Sequence, residues 1–222
     1  MKFKVYFKTS KGFGKNSIPG FNNYKCLQSL LQSFSKEEIF INLDNGTEEQ
    51  KNYFLENDFN FAETQLGNCS VVRHQLNLAL KSDADIFYFV EHDHFHLNKQ
   101  KEYLCDGLSL FDIVSLYDHP DKYSISVYPD LCAKLYMGKL CHWRNTPSTV
   151  VTFACKKETL YKIKDIIFDD RFTGPHLRAT EDHSMFLEMW KNNISIGTPI
   201  PGRSTHLELS DISPYVDWIS LK

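Results

Sequence analysis

Long hydrophobic runs are missing from this chain. No apolar stretch approaches the ~18 residues that a membrane-spanning helix needs. The N-terminal segment, residues 1–16, is basic but holds only a three-residue apolar stretch, too short for the core of a secretion signal. An excess of positive charge is also missing. The chain has 25 Lys and Arg against 28 Asp and Glu, a net charge of -3, with the bases scattered among acids, so no nucleic-acid partner is expected. No two of the six cysteines are spaced C-x-x-C and none sits beside a ligand-spaced histidine, which argues against zinc-finger chemistry. An even number permits disulfides, but a 222-residue chain buries a full core without them. Reduced, mostly buried thiols and a cytoplasmic setting are the expectation, with the Asn-x-Ser/Thr triplets at Asn45, Asn68 and Asn193 accidental. There is no Gly-x-Ser-x-Gly elbow, no repeat, no low-complexity tract and no linker. One soluble globular domain follows.

What is present alternates. Residues 3–7 read as a strand, and a loop follows through Gly12, Gly14, Pro19 and Gly20. A helix is expected from Asn23 to Phe34, with Cys26, Leu27, Leu30, Leu31 and Phe34 on one stripe. A second strand over 38–43 ends at Asp44, and Thr47 then caps a helix to Leu55. A short strand is placed in 58–64, a helix over Ser70–Leu80, and a strand over 85–90. Strand-helix alternation implies a mostly parallel sheet covered by helices. Beyond residue 100 the rhythm breaks. Strands over 113–117, within 123–137 and over 148–155 come closer together and read as antiparallel or mixed. A helix over Lys157–Ile167 follows, and another from Asp182 with Met185, Phe186, Met189 and Trp190 on its core face.

The segment from Asp85 to His96, DIFYFVEHDHFH, carries the chemistry. A buried apolar strand empties into Glu91, His92, Asp93, His94 and His96. Open α/β sheets place their sites at the carboxyl ends of strands. In an extended segment residues i and i+2 share a side, so Glu91 and Asp93 face one spot. Two hard oxygen donors suit Mg²⁺ or Mn²⁺ beside phosphates. The same triplet also fits a solvated acidic turn.

Further along, Thr180-Glu181-Asp182-His183 opens a helix, and Ser204-Thr205-His206 precedes an ordered-looking tail with Leu207, Pro214, Val216 and Trp218. In this order the features resemble nucleotide-sugar-dependent glycosyltransferases of the GT-A fold, in their inverting, family-2-like branch. Glu91-His92-Asp93 resembles the Asp-x-Asp motif of that family, with Glu91 in place of the first Asp. The resemblance covers nearly the whole chain. It implies a single GT-A-like α/β domain, with residues 1–97 binding the nucleotide sugar and 98–222 handling acceptor and catalysis. It implies Asp93, Glu91 and His206 as ligands of Mn²⁺ or Mg²⁺. Lys8, Thr9 and Ser10 match its nucleotide-binding loop, Asp44 the position that reads the base, and His92 the middle of the metal motif. A UDP-sugar is the favoured donor, with a GDP-sugar as the other choice, and a carbohydrate the acceptor. Asp182, with Glu181 beside it, matches the general base. A helix N-terminus favours the ionised acid, which takes the proton of an acceptor hydroxyl and inverts the anomeric centre. The loop from Val114 to Tyr123, with His142, Trp143 and Arg144, is placed on the acceptor side, while Trp143 itself reads more readily as core than as a sugar platform.

Other readings stand beside this one. Thr180 with the following acids fits an ordinary helix cap, Asp44 and residues 8–10 fit turn chemistry, and His206 fits a surface histidine. His92, His94 and His96 alternate, so in a strand they share a face and suit zinc, with Glu91 or Asp93 as the base of a hydrolase. A non-catalytic sugar-binding relative is the third possibility.

Overall fold

The computed structural model describes residues 1–12 and 16–221, so Gly14 of the expected loop lies outside the described residues. Strands β1 (Phe3–Thr9), β2 (Ile39–Asp44), β3 (Phe61–Thr64) and β4 (Ile86–Glu91) run parallel, in the order β3-β2-β1-β4. The apolar runs in β1 and β4 are continuous because both faces are covered. Val5, Phe7, Tyr88 and Val90 enter one core, whereas Tyr6, Phe87 and Phe89 enter the other. The first core is closed by α1 (Asn23–Leu31), α2 (Glu48–Glu56) and, through Leu104, α4 (Gln100–Gly107). The second is closed by α3 (Asn68–Lys81), α5 (Lys157–Ile167) and α7 (Asp182–Lys191), with the short α6 (Asp170–Thr173) beside them. Thr47 caps α2 as expected, its hydroxyl accepting from Gln50 N at 3.2 Å in a capping box.

The second half turns the sheet mixed. Strand β9 (Phe153–Lys156) lies antiparallel between β4 and β6 (Ile113–Val114), and β10 (Ile196–Ile200) runs parallel to β6. Antiparallel β8 (His142–Asn145) and β7 (Leu135–Met137) complete nine strands. A separate two-stranded pair joins β5 (His94–His96) to β11 (Ser204–His206). The architecture is the expected α/β domain, a mixed central sheet flanked by helices. No helix among the described residues is long and apolar enough to cross a membrane.

The expected elements differ from the observed ones where packing overrides local pattern. The strands placed at 113–117 and 148–155 shrink to Ile113–Val114 and Phe153–Lys156. Buried side chains at Ser115, Ser148 and Thr149 accompany loops there rather than ladders. Trp190 leaves the expected core face and is 37% exposed. Met185, Phe186 and Met189 form the buried stripe of α7, and one further residue rotates Trp190 about 100° away from it. Trp143 is core, in line with the reading favoured for it, fully buried and with its indole N–H donating to Asp106 Oδ2 at 2.9 Å. All six cysteines are free; Cys26, Cys69 and Cys155 are buried, Cys105 and Cys141 half-buried, and Cys132 exposed.

Asp106 ties α4 to the β7–β8 hairpin. Besides Trp143, its carboxylate accepts from the backbone N–H groups of Lys139 at 2.8 Å and Leu140 at 3.2 Å. Asp106→Ala strands three donors, the indole among them in the core. We expect a loss of roughly 3 kcal/mol in urea unfolding; a loss below about 1 kcal/mol would mean that the hairpin is held by other contacts.

Candidate functional site

The carboxyl ends of β1, β2 and β4 open onto a cavity of about 490 Å³, within the usual range for small-molecule sites. It is lined by Lys8, Thr9, Ser10, Asp44, Glu91, His92 and Asp93, together with Gly67 and Asn68 at the start of α3. Every residue expected in the donor and metal motif except His206 therefore lines one cavity.

Lys8 is buried, and its ammonium donates to Glu91 Oε1 at 2.7 Å and to Asn68 Oδ1 at 2.5 Å. Register explains the first contact, because Lys8 sits beside Glu91 across the β1–β4 pair. Thr9 is fully buried, and Ser10 offers its carbonyl to Gln50 Nε2 at 2.8 Å. Asp44 is saturated. Its two oxygens accept from Thr64 Oγ1, Leu66 N, Gly67 N and Asn45 Nδ2 at 2.7–3.0 Å, which fills the lone-pair sites of a carboxylate. Its visible work is to hold the loop before α3, where Gly67 takes a φ of 81° that other residues avoid.

The chain turns at His92 and Asp93 between β4 and β5, so the strict alternation expected through this segment is broken. The three histidines do not form one ligand set. His96 is fully buried, with Nε2 at 2.5 Å from the Tyr88 hydroxyl, and His92 remains at the cavity wall. Instead Asp93, His94 and His206 converge, each offering a ligand atom within 4.8 Å of the others. The β5–β11 pairing causes this, because it sets His206 opposite His94. Leu207 N donates to Asp93 O at 2.9 Å and extends the pairing past the turn. His206 Nε2 lies 3.2 Å from Asp93 Oδ2, and His206 Nδ1 accepts from Glu208 N at 3.2 Å. Glu91 lies outside the trio and is held by Lys8.

Charge at this point is unbalanced. Burial pushes the Asp93 carboxyl up, but the His206 hydrogen bond and the surrounding imidazoles outweigh it and hold the group well below the usual carboxylate range. Burial drives the His94 imidazole far down, so it is neutral. Burial lowers His206 as well, but the hydrogen bond and charge of Asp93 raise it more. Asp93 Oδ1 and both ring nitrogens of His94 are buried without a hydrogen-bond partner among the described residues. Unpaired lone pairs on a carboxylate and a neutral imidazole are what a cation satisfies. The donor set fits a divalent ion, and its imidazoles suit Mn²⁺ better than Mg²⁺. Alternation groups His94 with His92 and His96; the structure groups it instead with Asp93 and His206.

Asp182 opens α7 and Glu181 occupies the cap position without a capping side-chain bond, so the ordinary-cap reading through Thr180 does not describe this turn. Glu181 is exposed and Asp182 half-buried. Burial, and then the charge of Glu91, push the Asp182 carboxyl up to about 6, with Lys8 and His119 pulling the other way. The expected influence of the helix end is thus outweighed by desolvation and a like charge. His119 comes from the loop expected on the acceptor side. In that loop Asp118 is fully buried and bonds Arg144 at 2.6 Å and the Tyr123 hydroxyl at 2.5 Å. His142, by contrast, is exposed.

No protein-family model and no curated protein sequence matches the chain. Solved structures do. GalNAc-T7 with UDP, GalNAc and Mn²⁺ superposes with a TM-score of 0.60 at 11% identity, over 92% of this chain and 43% of that one. CMP:2-keto-3-deoxy-manno-octonic acid synthetase complexed with CTP gives 0.54 at 13% identity, over 89% of both chains. TarS of S. aureus gives 0.52 at 16% identity, over 89% of this chain and 35% of that one. The chain thus spans less than half the length of the GalNAc-T7 and TarS chains. At these identities the likeness establishes the fold, a GT-A-type domain.

The Asp182 environment sets a pH expectation. In the metal-free protein its carboxyl titrates near pH 6, followed by carboxyl-carbon NMR. Glu91→Gln removes the like charge and moves that titration toward the ordinary Asp range. An unchanged midpoint in the variant would sink the coupling.

Proposed function

We propose that the chain is a metal-dependent glycosyltransferase of hexosyltransferase type. It moves a sugar from a nucleoside-diphosphate sugar, UDP favoured over GDP, to a carbohydrate hydroxyl with inversion. Residues 1–97 supply most of the donor half and residues 98–222 the acceptor half. The observation that carries the reading is the convergence of Asp93, His94 and His206, with orphaned buried lone pairs, at the rim of a cavity lined by Lys8, Thr9 and Ser10. The fold shared with GalNAc-T7, whose structure holds UDP and Mn²⁺, supports it.

Asp93, His94 and His206 hold the cation, and Glu91 faces the same cavity. When bound, the ion neutralises the diphosphate and makes it a competent leaving group. Lys8 brings positive charge to the cavity wall and is oriented by Glu91 and Asn68. Asp44 fixes the loop that forms the floor. Asp182 receives the proton of the attacking hydroxyl at its carboxylate, and its raised affinity for protons makes it a better base than an exposed Asp. Glu181, exposed beside it, is the lesser choice. No side-chain nucleophile is needed for a single displacement.

Three variants test this. Asp93→Ala and His206→Ala should abolish Mn²⁺-dependent binding of UDP in calorimetry while leaving the circular dichroism spectrum unchanged. Asp182→Asn should keep UDP affinity and lose about 10²–10⁴ in kcat. Wild-type turnover in Asp182→Asn would remove it as base. Wild-type activity should rise with pH through the Asp182 titration, since only the ionised form accepts a proton, and a cation beside Glu91 should move that rise to lower pH. A tightly held Zn²⁺ with hydrolysis and no sugar transfer would instead favour a hydrolase.

A further inference from the structure

Trp190 is out of place for a core residue. The other two tryptophans are buried and donate their indole N–H groups, Trp143 to Asp106 and Trp218 to Ser213 O at 2.8 Å. Trp190 is 37% exposed, and its indole N–H has no partner among the described residues. It stands where two cavities, of about 440 and about 290 Å³, meet. Both are lined by Trp190 and Asn145. The first reaches Tyr128, and the second reaches Tyr136 and Asn193. Tyr128 ends the groove next to the base, because its hydroxyl lies 3.1 Å from His183 Nδ1 and 2.9 Å from Ser148 Oγ.

Helix geometry sets the length of this path. His183 and Trp190 are both on α7, and at 1.5 Å and 100° per residue they share a face roughly 10 Å apart. The Tyr128 end of the groove lies one hydrogen bond from His183, the neighbour of Asp182, and Trp190 stands about two helical turns further along α7. Its lining mixes the aromatic faces of Tyr128, Trp190 and Tyr136 and the carboxamides of Asn145 and Asn193 with apolar residues and the carboxylate of Asp130. Aromatic side chains with a free polar edge combine apolar contact and hydrogen bonding. Carboxamides both donate and accept. A sugar ring presents the same mixture, apolar C–H faces with hydroxyls at the edge.

We propose that this groove binds the acceptor as a neutral oligosaccharide, with Trp190 stacking on a ring beyond the one that reacts. This rests on the transferase reading for the role of the ligand, but not for its binding. The test uses the full chain with MnCl₂ and UDP, and calorimetric titration with linear glucose, galactose and N-acetylglucosamine oligomers from monosaccharide to hexasaccharide. Binding should tighten with length, and Trp190→Ala should weaken the longer oligomers by about tenfold or more. Trp190→Phe should recover part of that, while monosaccharide affinity, UDP affinity and melting temperature stay at wild-type values. In transfer assays the same variant should raise KM for long acceptors and leave kcat and UDP-sugar hydrolysis unchanged. If no oligomer binds, or if Trp190→Ala binds all lengths like wild type, the inference falls. If oligomers bind through Trp190 but UDP does not bind and no sugar is transferred, the groove stands and the transferase reading falls.

Discussion

The pairing of β5 with β11 brings the last ligand of the candidate centre to the first two, and the rest of the site depends on it. Its ladder spans three residues on each strand, and a lone hairpin-sized sheet is marginal in water. Contacts beyond the ladder hold it. Arg203 N and Ser204 N donate to Leu116 O, Leu97 N donates to Arg203 O, and Ile18 N donates to Leu207 O. Leu207 and Trp218 are buried, and Trp218 locks its own turn through Ser213. The tail is thus a structural part of the domain, and His206 reaches Asp93 because four separate segments grip the strand that carries it.

The electrostatics of the site follow from crowding acids where burial is costly. Lys8 answers Glu91 directly, at 2.7 Å. Asp118 is answered by Arg144 in a buried pair, an arrangement that fixes geometry more than it adds stability. That pair anchors the loop that brings His119 toward Asp182. Asp93 is answered only partly, by His206, and its second oxygen and the His94 ring are left without partners among the described residues. Native proteins satisfy nearly all buried polar groups. The shortfall is concentrated at one point, which is why a cation is the economical completion.

Much of this was legible in the chain because the relevant signals are local. The β4 run ending in Glu91-His92-Asp93 names both a buried strand and its mouth, and Thr47 with Gln50 marks the start of α2. Helix α5 was legible to its ends, Lys157 and Ile167. The misses came from contacts distant in sequence. Trp143 reads as core from the chain, but its partner Asp106, 37 positions away, is not legible there. Trp190 reads as core because it adjoins Met189, and only the end of α7 shows that no partner covers it. His94 reads as one of three alternating imidazoles until the turn at His92 and Asp93 separates them.

Asp182 shows how the two halves of the domain are joined. It comes from the second half of the chain, yet the charge that most affects it after burial is Glu91, from the first. A carboxyl coupled to the candidate cation site through a like charge would respond to loading of that site. With the site empty, Glu91 favours the protonated, non-basic form of Asp182. A cation beside Glu91 cancels that repulsion and favours the carboxylate. On the proposed transferase reading, proton acceptance would then be greatest when the leaving group is also neutralised. The cost would be a weaker base once the ion is in place, because a lower proton affinity accompanies the greater ionised fraction. A titration near 6 before loading leaves room for that fall while the group remains a usable acceptor. A fully exposed Asp in the same place would lack that reserve, so the partial burial of Asp182 matters to the proposed role.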